Sequence, residues 1–140
     1  MTAVDTNVIA AFGSEYDSAN AAAAKALANA SKSGLVCASG AVFAELLGLP
    51  GRGPAGLHAL FDSLGVAIEW DMTELDWETA GVAYEGYVAR RRASGGGLPR
   101  LMLTDFLIGA HASVRGYTLL TADLRLYNAA FPGLRVIVAA

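Results

Sequence analysis

Short apolar runs alternate with longer stretches of helical period along this chain. Thr2-Ala3-Val4 runs directly into Asp5. LVCAS (Leu35 to Ser39), VAIEW (Val66 to Trp70), YTLLT (Tyr117 to Thr121) and RVIVA (Arg135 to Ala139) are the other strand candidates. They are mostly apolar rather than alternating, the pattern of parallel strands covered on both faces. The segments between them read as helices. SANAAAAKALANASK is alanine-rich and has high helix propensity. SGAVFAELLGL ends before Pro50, and GLHALFDSL precedes the third strand. TELDWETAGVAYEGYVARRR is the longest, with Thr73 as its cap and Asp76 answering three residues later. Acids lead that helix and arginines finish it, as the helix dipole favours. TDFLIGAHASVRG starts at a Thr cap, Thr104, and stops near Gly116; ADLRLYNAAF is stopped by Pro132-Gly133. Strand–helix alternation of this kind predicts an α/β sandwich on a parallel sheet, with right-handed crossovers. PGRGPAG (Pro50 to Gly56) and SGGGLP (Ser94 to Pro99) read as loops within one domain. Neither has the Gly-Lys-Ser/Thr ending or the feeding strand of a phosphate loop.

Composition narrows the class. A chain of 140 residues is expected to form a single domain over 1–140. Hydrophobic residues make up 54% and charged residues 16%. That balance implies a well-buried sheet or an apolar surface that a partner covers. No apolar run reaches the roughly 18 residues of a membrane span, and no secretion signal is visible. Cys37 is the only cysteine, so it has no internal disulfide partner and reads as a buried thiol. These features suit the cytoplasm. A net charge of −3 gives no general attraction for nucleic acid, so such binding must rest on a local patch. Arg90, Arg91, Arg92 and Arg100 fall in one short stretch, just after Glu69, Asp71, Glu74, Asp76 and Glu78. The arginines either contact phosphate or finish a helix as solvated charges.

Asp5 raises a sharper question, because it interrupts an apolar run. A buried charge is costly unless it is paired or binds a metal. Asp5 is therefore a helix cap, half of an ion pair, or part of a site. In open parallel sheets, ligands collect at the C-terminal ends of the strands. Asp5 ends the first strand and Asp123 follows the fourth. Glu45 lies on the helix after the second strand, and Asp105 starts the helix that leads into the fourth. Each stands among apolar neighbours. Singly, Asp105 and Asp123 read as first-turn acids, Glu45 as an exposed helix residue and Asp5 as a cap. Together at one sheet edge they would repel. Two unit charges about 4 Å apart cost about 4 kcal/mol at an effective dielectric near 20. Such a cluster needs shared protons, arginine partners or a metal. All-oxygen donors suit Mg²⁺ and Mn²⁺, which activate water and bind phosphate diesters.

VDTNVI, FAELL, LTDFLIGAHA and LLTADLRLY…FPGLRVI, in this order over nearly the whole chain, resemble the PIN-domain ribonucleases, and most closely the VapC toxins of toxin–antitoxin modules. The resemblance implies a three-layer α/β/α sandwich around a central parallel sheet. It implies a Mg²⁺- or Mn²⁺-dependent endoribonuclease that forms homodimers. A cognate antitoxin would cover the active site with its C-terminal segment. The family's acids fall on Asp5, Glu45, Asp105 and Asp123, its Asn/Ser after the first acid on Asn7, and its Ser/Thr before the last on Thr121. Asp5, Asp105 and Asp123 would then hold one or two metal ions, and Glu45 a metal-bound water or its proton. Asn7 and Thr121 would orient carboxylates, Thr121 serving also as a helix cap. Many relatives carry a basic residue where this chain has Ala122, so phosphate contact shifts to Arg125, Arg100 or Arg90–Arg92.

The histidines are not expected to be catalytic. His58 reads as a surface residue, and His111 lies about 240° around its helix from Asp105. Trp70, Trp77, Tyr84 and Tyr87 line either the core or a partner groove. Other readings are a phosphoryl-transfer domain with Asp5 as nucleophile, a non-catalytic binding module of the same fold, and a structure-specific DNA nuclease. The first wants an acid two residues after Asp5 and a late lysine. Asn7 stands there instead, and the only lysines are Lys25 and Lys32. The last wants an insertion to thread a flap, which the chain lacks.

Overall fold

The computed structural model describes residues 1–13, 18–99 and 103–139. Five strands form one parallel sheet: β1 (Thr2–Val4), β2 (Val36–Ser39), β3 (Val66–Glu69), β4 (Thr118–Thr121) and β5 (Val136–Val138). Their order is β3-β2-β1-β4-β5. The register sets Thr2 beside Val36 and Thr118, and Leu119 beside Val136. Helices α1 (Thr6–Ala10), α2 (Ser18–Ser33), α3 (Gly40–Leu46), α4 (Gly53–Leu64), α5 (Glu74–Ala93), α6 (Leu103–Arg115) and α7 (Leu124–Ala130) flank it in an α/β/α arrangement. Every residue of β1 and β2 is buried, whereas β3 and β5, at the edges, are partly exposed. The uninterrupted apolar runs thus mark strands covered on both faces.

From β1 the chain builds outward through β2 to β3, then returns to lay β4 on the other side of β1. The strand order reverses between β1 and β4. In open parallel sheets, such a reversal is where ligands collect, at the carboxyl ends of the strands. Asp5 and Asp123 are the residues the chain places there.

Several local expectations are corrected. Helix α4 starts at Gly53, with Pro54 in its first turn, so half of the expected PGRGPAG loop is helical. Pro has no N–H to lose there. Thr104 is not a cap, because α6 already runs at Leu103. Trp70 lies beyond β3 and turns over Gly40, edge-on to Phe43 at 5.1 Å between ring centroids. The Thr73–Asp76 capping box of α5 forms as expected.

α6 packs along α5, and near its middle it meets the end of α7 without a gap. A Cβ on Gly109 would sit 2.2 Å from Cε2 of Phe131, whose ring is buried. Gly109→Ala gains about 1 kcal/mol of helix propensity. Overpacking a filled core costs about 1–3 kcal/mol. The substitution is expected to lower the urea midpoint, and adding Phe131→Leu to recover part of the loss.

Candidate active site

Asp5 is placed by the end of β1. Its N–H donates to the Leu120 carbonyl at 2.9 Å, which ties it to the neighbouring strand β4. Its carboxylate is only 3% exposed and caps α1, with Oδ1 accepting from the Thr6 N–H at 2.7 Å. Oδ2 accepts from the Thr121 hydroxyl at 2.7 Å and the Asn7 amide at 3.0 Å. The cap and site readings of Asp5 therefore describe one carboxylate. With both oxygens engaged, it is poorly set up as a covalent nucleophile.

Asn7 also accepts from the Ala122 N–H at 3.0 Å, and the Thr121 hydroxyl accepts from the Asp123 N–H at 3.0 Å. The loop after β4 is thereby clamped onto the loop after β1. Thr121 does not cap α7; Asp123 does, its Oδ1 accepting from the Leu126 N–H at 3.2 Å. β4 runs through Thr121, so the cap falls two residues later than the sequence suggested.

Electrostatics links the acids to one another. Burial raises the Asp5 pKa; hydrogen bonds from Thr121, Thr6 and Tyr127 offset only part of this, and Asp123 adds repulsion. Burial also raises Glu45, with the Thr6 hydroxyl opposing and the Asp5 charge adding. The Tyr127 phenol, on α7, feels the charges of Asp5, Asp105 and Glu45 together. Asp5 thus interacts electrostatically with Asp123 and Glu45, and Tyr127 with Asp5, Asp105 and Glu45.

The donor set fits a hard divalent cation. It is all oxygen, and the ion pairs among the described residues lie between His111 and Glu69 and between Arg115 and Asp76. Neither involves Asp5, Glu45 or Asp123. The hydroxyls of Thr6 and Tyr127 are buried there and make no hydrogen bond of good geometry. Among the described residues, no three His, Cys, Asp or Glu side chains are grouped so as to hold a metal ion.

The sequence profile of the PIN domain matches residues 2–132. The chain belongs to the PIN domain family. Among solved structures, this PIN domain resembles a chain of VapBC2 from Rickettsia felis, bound to a DNA fragment from its promoter. The TM-score is 0.64 at 16% identity, covering 98% of this chain and 97% of that one. A chain of DNA-bound VapBC from Salmonella typhimurium gives 0.62 at 19%, covering 99% and 98%. FitAcB from Neisseria gonorrhoeae gives the same values. Likeness at this identity concerns the fold. No protein with a curated description matches the sequence.

The arginines of the PIN domain separate into two groups. Arg90 and Arg125 line an open depression of about 350 Å³ with Tyr87, Phe106 and Asp123. Arg91 instead folds back on the loop after α5, donating to the Leu98 carbonyl at 2.7 Å and to that of Gly96. Arg91 thus anchors that loop. Arg92 is exposed, and Arg100 lies outside the described residues.

Residues set aside as non-catalytic lie elsewhere. His58 is exposed against Phe43, and His111 is buried beside Glu69. Burial, with Glu69 beside it, pushes the Cys37 thiol up to about 12, so no thiolate is available. Trp70 and Trp77 are exposed, while Tyr84 and Tyr87 pack on Phe106. Among the described residues, no helix is long and apolar enough to cross a membrane. Tyr127 was missed. An aromatic at helical spacing reads as core, and only its place four residues after Asp123 hinted otherwise.

Proposed function

We propose that this protein is a Mg²⁺- or Mn²⁺-dependent endoribonuclease, the toxin of a toxin–antitoxin module acting in the cytoplasm as a homodimer. The observation that carries the reading is the PIN-domain match over residues 2–132, supported by the charge interactions of Asp5 with Asp123 and Glu45 and by the absence, among the described residues, of an ion pair at Asp5, Glu45 or Asp123. Asp5, Asp105 and Asp123 would hold the cation. Bound there, it supplies charge stabilisation at the phosphate and a water of lowered pKa. Glu45, whose pKa is raised, is suited to take a proton at its carboxylate from the attacking water. The water oxygen bonds to phosphorus as the bond to the leaving ribose oxygen breaks. Asn7 and Thr121 hold Oδ2 of Asp5 through this change. The likeness to chains of VapBC and FitAB complexes supports a cognate antitoxin as partner.

Purified protein incubated with RNA is expected to cleave it only when Mg²⁺ or Mn²⁺ is added, and Asp105→Asn to cleave none. Cation-independent cleavage, or cleavage that survives Asp105→Asn, would exclude the proposal. Expression of the wild type alone is expected to arrest growth, and that of Asp105→Asn not to. In the Asp105→Asn background, single-stranded RNA binding reports the arginines. Arg90→Ala and Arg125→Ala should each weaken it and make the log K against log salt slope shallower by about 0.7. Arg91→Ala should leave the slope unchanged.

A further inference from the structure

Tyr127 is the largest of the fully buried side chains. It lies four residues after the Asp123 cap, so the two share one face of α7. Its ring stacks on Phe131, with centroids 6.5 Å apart and planes 28° apart. Its hydroxyl is buried and makes no hydrogen bond of good geometry. Packing alone gives no reason for that oxygen, since phenylalanine would fill the same space without a buried unpaired O–H. The oxygen's surroundings do give one. It interacts with the Asp5 carboxylate, and the charges of Asp105 and Glu45 also act on it. Asn7 and Thr121 bind Asp5 alone, whereas the charges of three acids act on Tyr127.

We infer that Tyr127 is a positioning residue, whose neutral O–H holds the Asp5 carboxylate in the arrangement that takes up a divalent cation. The inference rests on the proposed nuclease reading and concerns how its site is held. A phenol suits the task. It donates one proton and carries no charge, so it steadies carboxylates without neutralising the negative region that attracts the cation. Being fully buried, it touches no substrate. Its effect passes through Asp5.

The test is Tyr127→Phe, with Mn²⁺ affinity measured by calorimetry on the RNA-free protein. Removing a partner of a metal-binding carboxylate weakens metal affinity about 10–100-fold. Tyr127→Phe is expected to weaken Mn²⁺ binding by about that factor and to lower kcat while leaving KM for RNA unchanged. The metal-free variant should melt no lower than the wild type. Phe131→Leu serves as the packing control; it loosens the stack, keeps the hydroxyl, and should lower the melting temperature without changing Mn²⁺ affinity. Equal Mn²⁺ affinity in Tyr127→Phe and wild type would overturn the inference. So would a loss of affinity that Phe131→Leu reproduces. A wild type that binds Mn²⁺ but cleaves no RNA removes the nuclease reading and leaves this test standing. A wild type that binds no Mn²⁺ removes both.

Discussion

Asp5→Asn is expected to abolish RNA cleavage while leaving the metal-free protein at least as stable as the wild type at neutral pH. The loss of activity should exceed about 100-fold, since even the partners of metal-binding residues are worth 10–100-fold. The stability half follows from the direction of the pKa shift. Asp5 titrates above its ordinary value, chiefly because burial penalises the charged form. An acid whose folded pKa is raised favours folding at low pH. That contribution fades as the pH rises from 3.8 through the raised value. At pH 7 the wild type therefore holds a carboxylate that folding has made less comfortable, and an amide removes that penalty. Bound cation reverses the comparison. A ligand at 100 times its Kd adds about 2.7 kcal/mol to the native state, a gain open to the wild type and denied to Asp5→Asn. Thermal melts at pH 7 with and without Mn²⁺ read both halves. A metal-free Asp5→Asn melting well below the wild type would show that Asp5 is mainly a structural cap. An unchanged Mn²⁺ shift would remove it from the cation site.

How far this was legible in the sequence depended on whether the cause was local. Strands β1, β2 and β4 are buried on both faces, so their apolar runs stood out without knowledge of their neighbours. Asp5, Glu45, Asp105 and Asp123 stood out for the same reason, as charges in apolar surroundings. Which acids share a region depends on strand order, and β4 lying against β1 is a pairing across more than a hundred residues. The cap of α7 was misplaced by two residues because Thr121 and Asp123 are both good caps, and only the end of β4 decides between them. The arginine run could not be divided by inspection. Arg91 differs from Arg90 only in where the following glycine loop returns. Tyr127 was hidden because its value lies in one oxygen at the end of a core ring.

The largest expected loss of stability is at Asp76, far from the acids of the site. Asp76 is fully buried and takes a two-pronged contact from Arg115: Oδ1 accepts at 2.6 Å and Oδ2 at 2.9 Å. Oδ2 also accepts from the Thr73 N–H at 2.7 Å. The same guanidinium donates to the carbonyls of His111 and Asp71. One carboxylate thus caps the start of α5 and fastens it to the end of α6, the helix that carries Asp105 in its first turn. Asp76→Ala removes the cap and leaves Arg115 without its counter-ion. Breaking a buried pair from one side costs about 3–5 kcal/mol, and the variant is expected to lose that much in urea denaturation. Burial pushes Asp76 upward, but the hydrogen bonds and charge of Arg115 outweigh it and hold its carboxyl below the ordinary range. An acid whose pKa is lowered by folding stabilises above its unfolded value and loses that contribution as the pH falls through the folded one. Asp76→Asn should therefore flatten the wild type's loss of stability below about pH 4, while Asp5→Asn should not. The two carboxylates act on acid stability with opposite signs because one is buried with an arginine and the other without. An Asp76→Ala variant within about 1 kcal/mol of the wild type, the size of one ordinary net hydrogen bond, would show that Arg115 finds an equal partner elsewhere.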